Sequence, residues 1–87
     1  MRGQRLDIRH LASDAGKARV AVVVAKFGHS AVARNTLKRQ LRELARARLL
    51  PRVGEVDVLL RAKREAYGAE FAELRDEVDA AAARLAR

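Results

Sequence analysis

The spacing of hydrophobic positions changes several times along the chain, and each change marks a different structural element. Near the start, Leu6 and Ile8 alternate with Asp7 and Arg9. A two-residue period places alternate side chains on opposite faces of a strand. The pattern therefore predicts a half-exposed strand over residues 6–11.

Two further strands are predicted from different patterns. Residues 19–25 read RVAVVVA, in which Arg19 is followed by a continuous apolar run rich in β-branched side chains, which is typical of a strand covered on both faces. Residues 55–61 alternate instead, with Val56, Val58 and Leu60 separated by other side chains. This alternation predicts a third strand.

Two helices are predicted from a period of three to four residues. The first follows Ser30, a suitable N-cap, and runs to about Leu49, because the residue before Pro51 is disfavoured in helical geometry. The second spans roughly residues 69–86. Its apolar stripe comprises Phe71, Leu74, Val78, Ala81 and Leu85, and its opposite face carries Glu70, Glu73, Asp76, Glu77 and Asp79. The order β-β-α-β-α predicts one small α+β domain over residues 1–87, with the helices on one sheet.

The first helix has two adjoining faces of opposite character. At about 100° per residue, Leu37, Leu41 and Leu44 fall within about 60° of one another. The adjoining arc of about 140° carries Arg34, Asn35, Lys38, Arg39, Arg42 and Arg46. Each like-charge pair four residues apart destabilises an isolated helix by a few tenths of a kcal/mol. A polyanionic partner would relieve that repulsion.

The charge of the chain supports a polyanionic partner. The chain has 87 residues and a net charge of +8. Residues 1–54 carry 13 Lys and Arg against 3 Asp and Glu, whereas residues 55–87 carry 6 against 8. The field of the first part attracts nucleic acid. There is no cysteine, no apolar run of membrane-spanning length and no signal peptide, which together favour the cytoplasm.

The sequence gives little indication that this chain itself carries a catalytic or metal-binding site. His10 and His29 are the only histidines, and no spacing with cysteine or carboxylates suggests a metal site. No catalytic residue and no metal ligand is therefore predicted. Asp57 is expected to pair with an arginine on a neighbouring strand, and Tyr67 is expected to pack rather than stack.

Two interpretations of the basic helix stay open from its residues alone. Arginine-rich faces are often only solvated surface, with the long stems covering apolar area. Against this, Asn35 is a poor helix former and has no obvious use to the fold unless its amide caps the helix or binds a backbone group or a nucleotide. The helix N-terminus also offers free N–H groups to phosphate.

Residues 20–46, VAVVVAKFGHSAVARNTLKRQLRELAR, resemble the protein component of bacterial ribonuclease P. The family signature is a basic RNxxKRxxRE helix after a hydrophobic strand. It is matched position by position by Arg34, Asn35, Lys38, Arg39, Arg42 and Glu43. The resemblance covers about residues 5–87 and continues through DVLLRA and FAELRDEV.

The resemblance implies an RNA-binding subunit of ribonuclease P. Such a subunit binds the catalytic RNA and precursor tRNA, and the RNA, with Mg²⁺, removes the 5′ leader. Catalysis is therefore expected on the RNA. The implied RNA-binding residues are Lys26, Arg34, Asn35, Lys38, Arg39, Arg42 and Arg46. The family also implies a left-handed connection from the second strand through the basic helix to the third, against the general preference.

This chain departs from the family pattern in two places. Relatives normally begin with a further helix that helps to form the cleft for the leader, and this chain starts after it, so one face of the sheet is expected to be exposed. Where many relatives have two lysines, this chain has Lys26-Phe27. Phe27 is interpreted as either core or a stacking surface, with core favoured because aromatic residues are few.

Two other functions stay open. One is a generic RNA- or DNA-binding module of the ribosome-associated type, since fold does not dictate function. The other is a degenerate paralogue that acts in protein interaction through its acidic last helix.

Overall fold

The computed structural model describes residues 3–12 and 16–86. Its strands are β1 (Leu6–Ala12), β2 (Arg19–Val23) and β3 (Val56–Ala62), and its helices are α1 (Ala31–Leu44) and α2 (Phe71–Leu85). A π-helical turn, Ala45–Leu49, continues α1, and a short 3-10 turn, Arg64–Ala66, precedes α2. The predicted order β-β-α-β-α and the α+β class are confirmed.

The three strands form one sheet in the order β1-β3-β2. The central strand β3 is antiparallel to β1 and parallel to β2. Ile8, Leu60 and Val22 stand in one row across the sheet. The parallel pair is joined through α1, as a crossover connection requires. The left-handed sense of that connection stays a prediction.

The hydrophobic core lies between the inner face of the sheet and the two helices. Leu6 and Leu60 from the sheet are buried together with Leu41 of α1 and with Leu74 and Val78 of α2. These side chains are at most 1% exposed. Each fully buried side chain of this size contributes about 1.5–3 kcal/mol relative to an exposed one. All of these core side chains are aliphatic.

Most of the outer face of the sheet is exposed, although Asp7 on that face is buried. The expectation that β2 is covered on both faces was wrong: Arg19, Ala21 and Val23 are exposed, and Val20 and Val22 are only half-buried. Within the described residues both helices pack on the inner face of the sheet, which leaves the outer face of β2 uncovered. Because β2 is also an edge strand, it has a neighbouring strand, β3, along one edge only. Leu11 and Leu59 on the outer face are exposed as well.

The last helix follows its predicted stripe except at the first position. Leu74, Val78 and Ala81 are fully buried and Leu85 is half-buried, but Phe71 is 46% exposed. Phe71 occupies the first position of α2 and lies at the margin of the stripe, so its ring is only partly covered.

The acidic side of α2 is used within the fold. Glu77 Oε1 accepts hydrogen bonds from the backbone N–H groups of Arg5 at 3.0 Å and Leu6 at 3.1 Å. The Arg5 side chain donates to Glu77 and to Glu73. Two acidic residues of α2 thus anchor the start of β1.

No helix within residues 3–12 and 16–86 is long and apolar enough to cross a membrane.

Candidate nucleic-acid interface

The first turn of α1 is capped as its sequence predicts. Ser30 Oγ accepts a hydrogen bond from the backbone N–H of Ala33 at 3.1 Å, which satisfies one of the unpaired donors at the helix start. Leu37, Leu41 and Leu44 are buried. Because these leucines hold α1 against the sheet, the polar arc of the helix is turned away from the core.

That polar arc is the basic helix face, formed by Arg34, Lys38, Arg39, Arg42 and Arg46. Arg39, Arg42 and Arg46 are exposed, whereas Arg34 and Lys38 are half-buried along the edge of the core. Among the described residues, no carboxylate forms an ion pair with any member of the face. The sequence therefore predicted correctly that these cations lie together, and the fold leaves their charge uncompensated.

Arg34 differs from the other members because it is bound within the protein. Its Nε donates to the carbonyl oxygen of Val24 at 2.9 Å, and its Nη1 donates to Asn35 Oδ1 at 3.0 Å. Asn35 therefore orients the guanidinium of its neighbour, which accounts for a poor helix former at this position. A guanidinium carries five N–H donors, so Arg34 can still bind an external acceptor.

The end of α1 is not the regular helix that was predicted. The backbone N–H of Leu50 donates to the carbonyl of Ala45 at 2.9 Å, a five-residue separation typical of a π-turn. In an uninterrupted α-helix Leu49 would lie about 60° from Arg34, within the basic arc. A π-turn adds one residue to the turn and rotates later residues back by about 100°. Leu49 thereby reaches the core, where it is fully buried.

The same rotation gives Arg48 a partner on the second helix. Its Nε and Nη2 donate to the two carboxylate oxygens of Asp79 at 2.7 Å and 3.1 Å. The hydrogen bond from Arg48 lowers the pKa of Asp79 below its ordinary value, and the same bond raises the pKa of Arg48. Arg48 therefore ties the π-turn to α2 and does not belong to the basic helix face.

Lys26 begins a tight turn in front of α1. The backbone N–H of His29 donates to the carbonyl of Lys26 at 2.8 Å, and Phe27 and Gly28 between them have φ angles of 49° and 87°. Two successive positive φ angles define a type I′ turn. Lys26 is exposed at its start. This candidate contact therefore lies in the turn that leads into the N-terminus of α1.

The packing of the aromatic residues at this turn was predicted only in part. Phe27 is 38% exposed, so the favoured core interpretation was wrong; its positive φ turns the ring outward, where the Arg64 guanidinium lies 5.1 Å from the ring centroid. Tyr67 packs against the core as expected, but it also stacks on His29, with ring centroids 3.9 Å apart. Nothing in the spacing indicated this stack, because its two rings come from separate loops.

The outer sheet face forms a shallow cavity of about 590 Å³ that includes Arg9, Leu11 and Leu59. Arg19 and Asp57 also line this cavity, and the Arg19 side chain donates two hydrogen bonds of 2.8 Å to the Asp57 carboxylate. The predicted cross-strand pairing of Asp57 with an arginine is therefore confirmed. Within the part of the chain that the structure describes, no three His, Asp or Glu side chains come together as a metal-binding group.

Comparisons with known proteins agree on one family. The chain matches the family model described as Ribonuclease P over residues 1–86. It is 43% identical over 77 residues to the ribonuclease P protein component of Thermus aquaticus, and the match covers 88% of this chain and 44% of that protein. The chain therefore spans less than half the length of this relative.

Two solved structures have the same fold. The RNase P protein from Thermotoga maritima superposes with a TM-score of 0.84 at 18% identity, over 100% of this chain and 83% of that one. The Staphylococcus aureus RNase P protein gives a TM-score of 0.77 at 17% identity, over 100% of this chain and 82% of that one. At such identities the superposition establishes the fold.

Proposed function

This chain belongs to the ribonuclease P protein family, and we propose that it binds ribonuclease P RNA through the basic helix face of α1. The observation that carries the proposal is the set of five cations on that face that have no carboxylate partner within the described residues. The buried leucines on the other side of α1 hold the face in one orientation. A rigid row of cations suits a folded polyanion.

The proposed mechanism is charge neutralisation and positioning. Members of the basic helix face that lie four residues apart repel one another. A phosphate bound between two of them attracts both side chains and so offsets this repulsion. Arg39, Arg42 and Arg46 are the exposed members and act as the principal phosphate contacts, with Lys38 beside them and Lys26 at the helix start. Phosphate contacts carry little sequence information, so RNA shape supplies the specificity.

Arg34 and Asn35 act as a pair in this proposal. The hydrogen bonds from Arg34 to Val24 and Asn35 hold its guanidinium in one orientation. A preorganised guanidinium loses less conformational freedom when it binds a phosphate, and its planar fork suits two phosphate oxygens. Arg34 is therefore a contact that also supports the junction of β2 and α1.

The wider role follows from the family. We propose that the chain supports removal of the 5′ leader from precursor tRNA in the cytoplasm, as a subunit of the ribonuclease P holoenzyme. The bond cleavage belongs to the RNA, with Mg²⁺ bound there, and this chain contributes cations near crowded phosphates. Its part is to hold RNA strands together where their charges would otherwise keep them apart.

A cleavage assay tests the proposal. Precursor tRNA is incubated with bacterial ribonuclease P RNA at low Mg²⁺, without protein, with this chain, or with its Arg39→Ala/Arg42→Ala variant. The matched control is Arg52→Ala/Arg84→Ala, which removes the same charge from exposed positions outside the face. Stimulation by the chain and by the control, with loss in the first variant, is the expected result.

RNA binding is measured in parallel by filter retention. Equal affinity of the two double variants for ribonuclease P RNA would contradict the proposed role of the face. Equal affinity of the chain for that RNA and for an unrelated RNA or DNA duplex would indicate a generic binding module instead. Circular dichroism checks that each variant is folded.

A further inference from the structure

Two loops bring aromatic and basic side chains together at the N-terminal end of α1. Phe27 and His29 come from the turn after β2, and Arg64 and Tyr67 come from the segment after β3. We call these four residues the aromatic platform. We propose that the aromatic platform stacks an unpaired nucleobase of a bound RNA on the open side of His29. The inference rests on the proposed RNA-binding function and adds to it a site for single-stranded RNA.

The stack inside the platform is already ordered as a base would require. The rings of His29 and Tyr67 are nearly parallel, with an interplanar angle of 4° and centroids 3.9 Å apart. Tyr67 is half-buried against the core, and its hydroxyl donates to the carbonyl of Ala25 at 2.7 Å. Because Tyr67 is fixed in this way and covers one side of His29, the exposed imidazole offers its other side to a planar partner.

The backbone at Phe27 supports a role at the surface. Among the described residues, Phe27 is the one non-glycine residue with a positive φ angle. A bulky side chain is rarely found in this conformation, and such residues cluster where function requires them. Here the conformation holds the Phe27 ring edge-on to Tyr67, with centroids 6.5 Å apart, and against the Arg64 guanidinium. The platform is thus a connected group of rings capped by a cation.

The surroundings suit a nucleotide. A hollow of about 300 Å³ lies beside the platform, between His29 and Tyr67 and the flank of α1 that carries Thr36 and Gln40. Their hydroxyl and amide groups can donate and accept hydrogen bonds at a base edge. Exposed Lys26 lies in the same turn as the platform and can bind a neighbouring phosphate. Stacking rings beside cations are the usual means by which proteins hold single strands.

Fluorescence of a stacked base tests the inference. The probe is a short uridine-rich oligoribonucleotide with one 2-aminopurine, whose emission falls when the base stacks. The full chain is compared with His29→Ala, which removes the outer ring, and with Tyr67→Phe, which keeps both rings. A blunt RNA duplex serves as the second ligand, because it reports on the basic helix face without an unpaired base.

The expected results differ between the variants and the two ligands. The chain and Tyr67→Phe quench the 2-aminopurine, whereas His29→Ala does not and binds the single strand about five- to tenfold more weakly. Affinity for the duplex is the same in all three proteins. A third variant, His29→Trp, offers a larger ring and is expected to bind the single strand more tightly.

Two results would overturn the inference. In the first, His29→Ala quenches the 2-aminopurine and binds the single strand like the unchanged chain, which would show that the aromatic platform only ties the two loops together. If the chain still binds the duplex in that case, the proposed function is unaffected. If the chain binds neither probe but retains ribonuclease P RNA on the filter, the platform fails and the proposed function stands; if it binds none of the three RNAs, both fail. Thermal unfolding of each variant verifies that the comparison is made between folded proteins.

Discussion

Arg34 Nε donates a hydrogen bond to the carbonyl oxygen of Val24 at 2.9 Å. This bond joins the first basic residue of α1 to the segment that leaves β2, and Val24 itself is buried. The same side chain thus belongs to the candidate RNA surface and to the connection between strand and helix.

Arg34→Ala is therefore expected to weaken both stability and RNA binding. Removal of the guanidinium leaves the Val24 carbonyl without this donor, which lowers the free energy of unfolding by about 1–2 kcal/mol. Arg39→Ala, from an exposed position, is expected to weaken RNA binding with a stability change within about 0.5 kcal/mol. Urea unfolding and filter binding on both variants measure the difference. Equal stability of the two would show that the Arg34 bond contributes nothing to the fold.

Leu41 and Arg42 are neighbours in sequence with opposite expected effects. Leu41 is fully buried, so Leu41→Ala lowers the free energy of unfolding by about 2–5 kcal/mol through lost contacts and a cavity. RNA affinity of the folded fraction stays unchanged. Arg42→Ala reverses this pattern, because Arg42 is exposed on the basic helix face. Calorimetry and RNA titration of each variant test the pair, and a stable Leu41→Ala protein would contradict the assigned core.

Salt dependence measures how many cations of the basic helix face meet phosphates. Five contacts predict that the logarithm of RNA affinity falls with the logarithm of salt concentration with a slope of about −4. Arg39→Ala/Arg42→Ala should reduce the magnitude of that slope by nearly 2, since each lost contact removes close to one unit. The Arg52→Ala/Arg84→Ala control should keep the original slope. A slope unaffected by either change would place the binding surface elsewhere.

Glu77 anchors the start of β1 to α2. Its carboxylate is largely buried and accepts from two backbone N–H groups and from the Arg5 side chain. Glu77→Ala leaves these donors unpaired and is expected to lower the free energy of unfolding by about 2 kcal/mol or more. Glu65→Ala, at an exposed site, is the control. Urea midpoints that match between the two variants would exclude the anchoring role.

The ion pair of Arg48 and Asp79 makes part of the stability depend on pH. The hydrogen bond from Arg48 lowers the pKa of Asp79 in the folded state below the ordinary value of 3.8. Its stabilising contribution is therefore present above that ordinary value and is lost as the pH falls through the lowered, folded-state pKa.

Thermal unfolding between about pH 7 and pH 2 measures this dependence. The advantage of the unchanged chain over Asp79→Asn should be constant at neutral pH and should shrink in the acid range, where the carboxylate becomes protonated. Asp76→Asn is the matched control on the same helix, because its carboxylate has only a longer contact of 3.4 Å with Arg75. An advantage over Asp79→Asn that persists at the lowest pH would contradict the ion pair.

The elements were predictable where the signal is local. Ser30 is the N-cap, Leu37 and Leu41 face the core, and β3 alternates as its sequence indicates, because capping and periodicity depend on residues within a few positions of each other. The exposure of Phe71 and of the β2 edge was not predictable in this way. It depends on where a neighbouring element ends, which no local pattern reports.

By itself, the sequence determined the order of the elements, the two faces of α1 and the family to which the chain belongs. Only the tertiary structure decided how the basic residues are engaged within the protein: Val24 orients Arg34, which keeps other donors for a partner, Arg48 is bound to Asp79, and a π-turn moves Leu49 out of the basic arc. It also decided that His29 stacks on Tyr67. The reason is physical. Periodicity sets the direction of a side chain relative to its own helix or strand, whereas a contact between residues distant in the chain exists only after the elements have packed.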